Sequence, residues 1–224
     1  MAFLRWAGVI SLLIVASSVP AQDGKYAIKT ADTPPPKELS EPIRKLLGPQ
    51  SVRFFEGSKL VAEIWLRKEV PADATPEQIK NGITYRELKQ SEIMGALKVM
   101  EDWTDYRKQK VKPGVYTMRL GFQPMDGDHT GSSQYTEFFV ILSAAKDTKP
   151  ALMEPKEMIE TSMKSIGTGH PGVFMLFPNS KPGAPQLVSK ENSHWVLNAK
   201  EDISVGGKKA GTIGIGVVVV GNAN

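Results

Sequence analysis

Val115-Tyr116-Thr117-Met118-Arg119-Leu120-Gly121-Phe122 decides the fold, because its side chains alternate with the period of two that a β-strand requires. Every second residue from Tyr116 to Phe122 is large and apolar, so we expect this face to be largely buried. Pro113-Gly114 marks a turn immediately before the stretch. The stretch therefore predicts a strand with one face turned toward a core.

A second strand is predicted at residues 137–143, which are apolar on both faces and typical of a central, buried strand. Only an Asp-rich loop separates it from the first strand, so the two are expected to pair as a long hairpin. We expect Phe138, Val140 and Leu142 to be buried with the first strand's apolar face. We therefore expect this hairpin to form part of the hydrophobic core.

Short β-prone segments between turn residues recur along the chain. The best helix is predicted over 154–165 and ends at Gly167, while shorter helical pieces are expected within 38–47 and after Thr75. These features predict an all-β protein, mainly an antiparallel β-sandwich with one or two short helices and a jelly-roll strand order as an alternative. The further strands are predicted at 52–55, 62–67, 83–85, 93–100 (with a helix as the alternative), 173–177, 193–199 and 212–220.

The last predicted strand carries glycine at alternate positions. Gly214 and Gly216 lie opposite the Ile213, Ile215, Val217, Val219 face. Glycine inside a strand indicates a bend or a site where another backbone approaches closely. We therefore expect a close contact on this face.

The chain begins with the pattern of a secretory signal peptide. Arg5 is followed by the apolar run Ala7–Ala16 and by the small residues Val19-Pro20-Ala21, which place cleavage after Ala21. An N-terminal membrane anchor is the alternative, but the run is short for roughly 30 Å of hydrocarbon. We predict an exported protein, periplasmic or extracellular, with no stable membrane span after cleavage.

The sequence divides into three predicted regions. Residues 1–21 are the signal peptide, residues 22–50 a polar, Pro-rich linker or strap, and residues 51–224 a single β-sandwich domain. Pro34-Pro35-Pro36 lies at the centre of the second region, and a proline run favours an extended backbone.

Composition excludes several classes of chemistry. The 224 residues contain no cysteine, which rules out a lipoprotein, disulfides, thiolate catalysis and cysteine-ligated zinc. The formal charge is +4, and the densest basic patch, Arg107–Lys112, lacks interleaved aromatic residues or a recognition motif. We interpret the patch as a solvated turn and predict no nucleic-acid partner.

The loop of the predicted hairpin resembles a calcium loop in its spacing. Asp126, Asp128, Thr130, Gly131 and Glu137 fall at positions 1, 3, 5, 6 and 12 of the 12-residue pattern. The flanks are strands rather than helices, and Ser133 replaces the aliphatic residue at position 8. Two interpretations stay open: a Ca²⁺ site formed by Asp126, Asp128, Thr130 and Glu137, or a loop of ordinary turn residues.

Histidines offer a second metal hypothesis. His129, His170 and His194 lie 41 and 24 residues apart, without an HxH or HxxxH pair. A metal-dependent enzyme would need His129 and His170 to converge with Asp126 and Asp128. The alternative is that the histidines bond to nearby loop backbone.

Pro113–His129 (PGVYTMRLGFQPMDGDH) resembles a family of exported, uncharacterised bacterial proteins that share the pattern GVYTxRLGxQPxDGDH. Asp105-Tyr106-Arg107 and Gly167-Thr168-Gly169-His170-Pro171 fit the same resemblance. The resemblance implies export and a β-rich fold. It implies no activity, because that family has none assigned.

No GxSxG, Walker or Rossmann motif is present in the sequence. Trp65, Trp103, Tyr106 and Trp195 could form a sugar-stacking platform, although aromatic burial in the core is the favoured interpretation. We therefore expect a non-catalytic, exported β-sandwich that binds or scaffolds an envelope protein or polysaccharide. A metal-dependent enzyme is the alternative.

Overall fold

The computed structural model describes residues 24–124, 127 and 133–223, which form an all-β sandwich with three short α-helices. Thr84 caps a single 3-10 turn at Tyr85–Glu87. The helices are α1 Glu41–Leu46, α2 Pro76–Asn81 and α3 Pro155–Ile166. The strands are β1 Tyr26–Ala31, β2 Ser51–Glu56, β3 Lys59–Leu66, β4 Glu69–Pro71, β5 Ile93–Val99, β6 Trp103–Thr104, β7 Lys110–Val111, β8 Gly114–Phe122, β9 Glu137–Ser143, β10 Gly172–Met175, β11 Gln186–Ser189, β12 Trp195–Val205 and β13 Lys208–Val220.

The larger sheet is an antiparallel meander of seven strands in the order β1-β2-β3-β5-β8-β9-β10. The predicted hairpin lies near one edge of this sheet, where β8 pairs with β9 from Tyr116↔Ser143 to Phe122↔Glu137. Successive strands are neighbours, so the order is that of a meander and the jelly-roll alternative is not adopted. The predicted antiparallel β-sandwich is confirmed.

The smaller sheet has four strands. β12 pairs with β13 and β11 in antiparallel fashion, and the short β4 adds to its second half in parallel. The two sheets are joined where Leu176 bridges Val217 and Phe177 N–H donates to the Gly216 carbonyl at 2.6 Å. β6 and β7 form a separate two-stranded ribbon.

The main core lies between the two sheets. The predicted face of β8 contributes Met118 and Leu120, which are fully buried against inward-facing residues of β13 such as Ile215 and Val217. On the opposite face of the larger sheet, α3 packs Met158 onto β9 and α1 packs Ile43 onto β3 and β5. The larger sheet is therefore covered on both sides at β9, which explains why the interior of that strand is apolar on both faces.

The segment predicted as a linker or strap, as far as the structure describes it, belongs to the folded domain. Tyr26–Ala31 pairs with β2 over its full length, and Ile43 of α1 and the following Leu47 are buried in one cluster with Trp65. The domain therefore begins before Ser51, which corrects the predicted boundary. β1 was missed because an edge strand exposes alternate residues and needs little apolar sequence.

One other element prediction is wrong, and one alternative is decided. The strand predicted at 83–85 is the 3-10 turn, because the Thr84 side chain and Glu87 cap each other's backbone ends. The segment 93–99 is a strand, as predicted, and not the alternative helix. The predicted signal peptide lies outside the described residues. Among the helices of the described part, none is long and apolar enough to span a membrane.

Candidate functional site

The residues of the predicted calcium loop are only partly placed. Asp126, Asp128 and Thr130 lie outside the described residues, as does His129. Glu137 is described: its Oε1 lies 2.7 Å from Arg86 Nε and accepts a hydrogen bond from the Thr136 hydroxyl at 3.1 Å. A calcium ion closed by Glu137 would have to share this carboxylate with Arg86.

The other two histidines differ in burial and in their partners. His170 is exposed in the turn after α3, where its carbonyl accepts from the Thr168 hydroxyl at 2.7 Å. His194 is buried, stacks on Tyr106, and places Nε2 3.2 Å from the Asn222 carbonyl oxygen. Among the residues with described positions, no group of three His, Asp or Glu side chains is arranged to hold a metal ion.

The basic patch at Arg107–Lys112 is a turn that is tied to the fold by Asp105. The buried Asp105 carboxylate accepts from the backbone N–H groups of Arg107, Gln109 and Val173 at 2.8–3.0 Å. Burial raises the pKa of this carboxyl, and these backbone hydrogen bonds oppose the rise. Asp105 therefore has a structural task, which is to hold the turn against β10.

A second buried cluster joins β3, β5 and β12. Arg67 Nη1 donates to Glu92 Oε1 at 2.5 Å, and the Arg67 backbone N–H donates to Glu201 Oε1 at 3.2 Å. Arg67 Nε and Glu201 Oε2 are buried without a hydrogen-bond partner among the described residues. Burial raises the pKa of Glu201 well above its ordinary value, and the nearby Arg67 only partly offsets this.

Aromatic side chains line a cleft of about 300 Å³ between the two sheets, which we call the aromatic cleft. Phe54 stacks on Tyr26 and on Trp103, with ring centroids 5.8 Å apart in each pair. The Trp103 indole N–H donates to the Val219 carbonyl at 3.1 Å, which fixes the ring. The lining comprises Tyr26, Phe54, Glu56, Lys59, Val61, Glu101–Thr104 and Val219–Asn222.

The rim of the aromatic cleft is polar. Glu101 pairs with Lys59 at 3.3 Å and Asp102 with Lys110 at 2.6 Å, and all four side chains are at least half exposed. Carboxylates and ammonium groups at these positions can bond to the hydroxyls of a ligand. The cleft therefore combines an apolar wall with hydrogen-bonding groups at its mouth, as small-molecule sites do.

A second hollow, of about 560 Å³, lies beneath the proline run, and we call it the proline groove. The Trp65 indole N–H donates to the Thr33 carbonyl at 2.7 Å, which ties the strap down at one end. The Trp65 side chain is 1% exposed, so it supports the floor without presenting a ring face. The lining comprises Thr33–Glu38, Glu63, Trp65 and Lys98.

The tryptophans and Tyr106 do not form one exposed platform. Trp65, Trp103 and Tyr106 are buried and belong to three different apolar clusters. Trp195 packs edge-on against Tyr26 at 5.4 Å. Core packing, the favoured interpretation, is confirmed for three of the four, and both hollows were invisible to sequence reasoning because their walls come from distant segments.

The chain matches no protein-family model, no curated protein and no solved structure.

Proposed function

We propose that the protein is an exported, non-catalytic β-sandwich that binds a polysaccharide of the cell envelope in the aromatic cleft. The observation that carries the proposal is the partly exposed Tyr26 ring, which is backed by the buried Phe54 and Trp103 rings and lies in one cleft with a charged, hydrogen-bonding rim. The N-terminal signal pattern supports the location.

The chemistry of a sugar matches this arrangement. A pyranose has apolar C–H faces, which pack against aromatic side chains, and hydroxyls, which donate to carboxylates. Asp102 and Glu101 are both available at the rim, and each is held by a lysine. The volume of the cleft is at the lower end of the range of roughly 300–1,000 Å³ for ligand sites, which suits one sugar unit of a chain.

The test uses the mature chain, residues 22–224. Co-sedimentation with purified peptidoglycan sacculi and titration with chitohexaose, followed by tryptophan fluorescence, measure binding. Asp102→Asn should weaken binding about tenfold, because a hydrogen bond to a charged group is lost. Glu157→Gln on the exposed side of α3 is the matched control and should bind like the wild type.

Binding of neither polysaccharide would overturn the proposal, as would binding that Tyr26→Ala and Asp102→Asn both leave unchanged. A fluorescence change in Trp103→Phe that equals the wild-type change would place the ligand elsewhere.

A further inference from the structure

The lining of the proline groove includes a cation, Lys98, that has no ionic partner among the described residues. Lys98 on β5 lies directly opposite Glu63 on β3, a cross-strand position at which opposite charges attract. Glu63 Oε1 is instead taken by Arg53 Nε at 2.5 Å and also accepts from the Ser51 hydroxyl at 3.3 Å. Within the described part of the chain, Lys98 forms no ion pair, although its side chain is half-buried.

The groove around Lys98 selects the kind of anion. Its wall is Pro34-Pro35-Pro36, and proline has no backbone N–H to donate. Among the described lining residues, the charged donors are the ammonium groups of Lys98 and of the exposed Lys37. A phosphate dianion needs several converging donors, whereas one carboxylate is matched by one ammonium group.

The remaining lining groups suit a sugar ring. Glu38 and Glu63 supply carboxylate oxygens that can accept from hydroxyls, and the proline rings supply apolar surface. These carboxylates also limit the net positive charge of the groove, which disfavours a group that carries two charges on itself, such as a phosphate dianion. A monoanionic sugar can pair its carboxylate with the ammonium groups, donate from its hydroxyls to the carboxylates and pack its apolar face on the proline rings.

We infer that the proline groove is a subsite for a uronic acid, with the sugar carboxylate bound to Lys98. The inference rests on the proposed function, because it assigns an acidic sugar to the polysaccharide that the protein binds. It adds a second contact region to the aromatic cleft, on the other face of β3.

The test compares trigalacturonate with its methyl ester, which has the same sugars without the charge. Trigalacturonate should bind the mature wild-type protein more tightly than the ester by at least about tenfold, which corresponds to about 1.4 kcal/mol. Lys98→Gln should remove this difference, and Lys98→Arg should restore part of it. Lys164→Gln on α3 removes the same charge from an exposed position outside the groove and should change nothing.

The controls separate the possible failures. Raising the salt concentration should weaken trigalacturonate binding and leave the ester unaffected, because only the former depends on charge. Inorganic phosphate that competes as well as trigalacturonate would overturn the choice of a carboxylate. If Lys98→Gln keeps the wild-type preference while chitohexaose still binds, the subsite is wrong and the proposed function stands. If no sugar binds, both fail. Matching thermal melts of Lys98→Gln and wild type establish that the variant is folded.

Discussion

Arg119 and Asp147 form an ion pair that is sealed inside the protein, with Arg119 Nε 2.7 Å from Asp147 Oδ2 and side-chain exposures of 0% and 1%. A second bond joins Arg119 Nη2 to Asp147 Oδ1 at 2.8 Å, so the pairing is bidentate. The remaining donors of the guanidinium reach the carbonyls of Ser91, Lys149 and Ala151. All five N–H groups are thus used, and the connection between β9 and α3 is tied to β8.

Arg119→Met should therefore be among the most destabilising single changes in the chain. The substitution leaves the Asp147 carboxylate buried without its partner, which costs about 3–5 kcal/mol of unfolding free energy. Urea denaturation of the mature protein measures the loss. Arg119→Met combined with Asp147→Leu should lose clearly less, because no uncompensated charge remains.

Lys209→Gln is the matched control for this pair. Lys209 lies 2.6 Å from Asp202 at the surface, with side-chain exposures of 64% and 34%, so its removal should leave the urea midpoint nearly unchanged. If Arg119→Met loses no more unfolding free energy than Lys209→Gln, the buried pair contributes no more to stability than a surface pair.

Glu201 should make the protein less stable as the pH rises. Burial raises the folded-state pKa above the ordinary value of 4.5, so between these two pKa values the folded state binds the proton more tightly than the unfolded state. The contribution of the protonated Glu201 to the free energy of unfolding is therefore fully present below about pH 4.5. As the pH rises, this contribution declines by at most about 1.4 kcal/mol per pH unit until the folded-state pKa is passed. Asp105, whose pKa is also raised by burial, acts in the same direction.

Glu201→Gln tests this assignment. The amide keeps an acceptor for the Arg67 backbone N–H and cannot ionise, so the variant should gain stability over the wild type as the pH rises from 5 to 8. Unfolding free energies from urea titrations at several pH values give the comparison. A constant difference between the two proteins across that range would mean that Glu201 does not titrate there.

Gly214→Ala should be destabilising because of a backbone contact. A Cβ at this position would lie 2.0 Å from the Asn179 carbonyl oxygen, and the Asn179 side chain is itself held by the Ala199 and Ile215 carbonyls. Overpacking of this kind costs about 1–3 kcal/mol. Gly169→Ala, whose Cβ would meet no heavy atom within 4 Å, should be nearly neutral in the same thermal denaturation. Equal melting temperatures for the two variants would contradict the prediction.

Calcium binding at Asp126, Asp128, Thr130 and Glu137 remains a prediction from sequence spacing, and melting curves with and without calcium check it. A bound ion should stabilise the protein by about 2.7 kcal/mol at a hundredfold excess over Kd. Asp128→Ala should abolish the gain, whereas Arg86→Gln, which frees Glu137 from its ion pair, should strengthen it. Asp202→Asn serves as the control, and unchanged melting of the wild type in millimolar calcium would refute the site.

The local sequence pattern was sufficient to predict the hairpin strands and the main helix. The strands at 114–122 and 137–143 and the helix α3 follow from side-chain period, turn residues and the Gly167 stop, all of which lie within a few residues of each element. The close contact expected at Gly214 and Gly216 is confirmed, because the backbones of Asn179 and Phe177 approach them. β6 and β11, which have two and four residues, carry too little apolar alternation to be recognised from the sequence.

Neither the buried Arg119–Asp147 pair nor the aromatic cleft could be predicted from such local patterns. Arg119 lies on the face of β8 that alternation alone assigns to solvent, yet it is fully buried because the connection carrying Asp147 folds over it. Tyr26 and Trp103 meet at the aromatic cleft only because β1 pairs at the edge of the larger sheet. No rule of spacing relates residues that pairing brings together across the chain.

The sequence by itself determined the strand-rich class of the protein, the hairpin and the main helix, since each depends on neighbouring residues. Only the tertiary structure decided that the segment before Ser51 joins the domain, that Lys98 lines a groove with no ionic partner among the described residues and that Glu201 is buried. The physical reason is that burial and charge pairing depend on which strands lie side by side. That order is set by packing over the whole chain, whereas strand and helix formation are set locally.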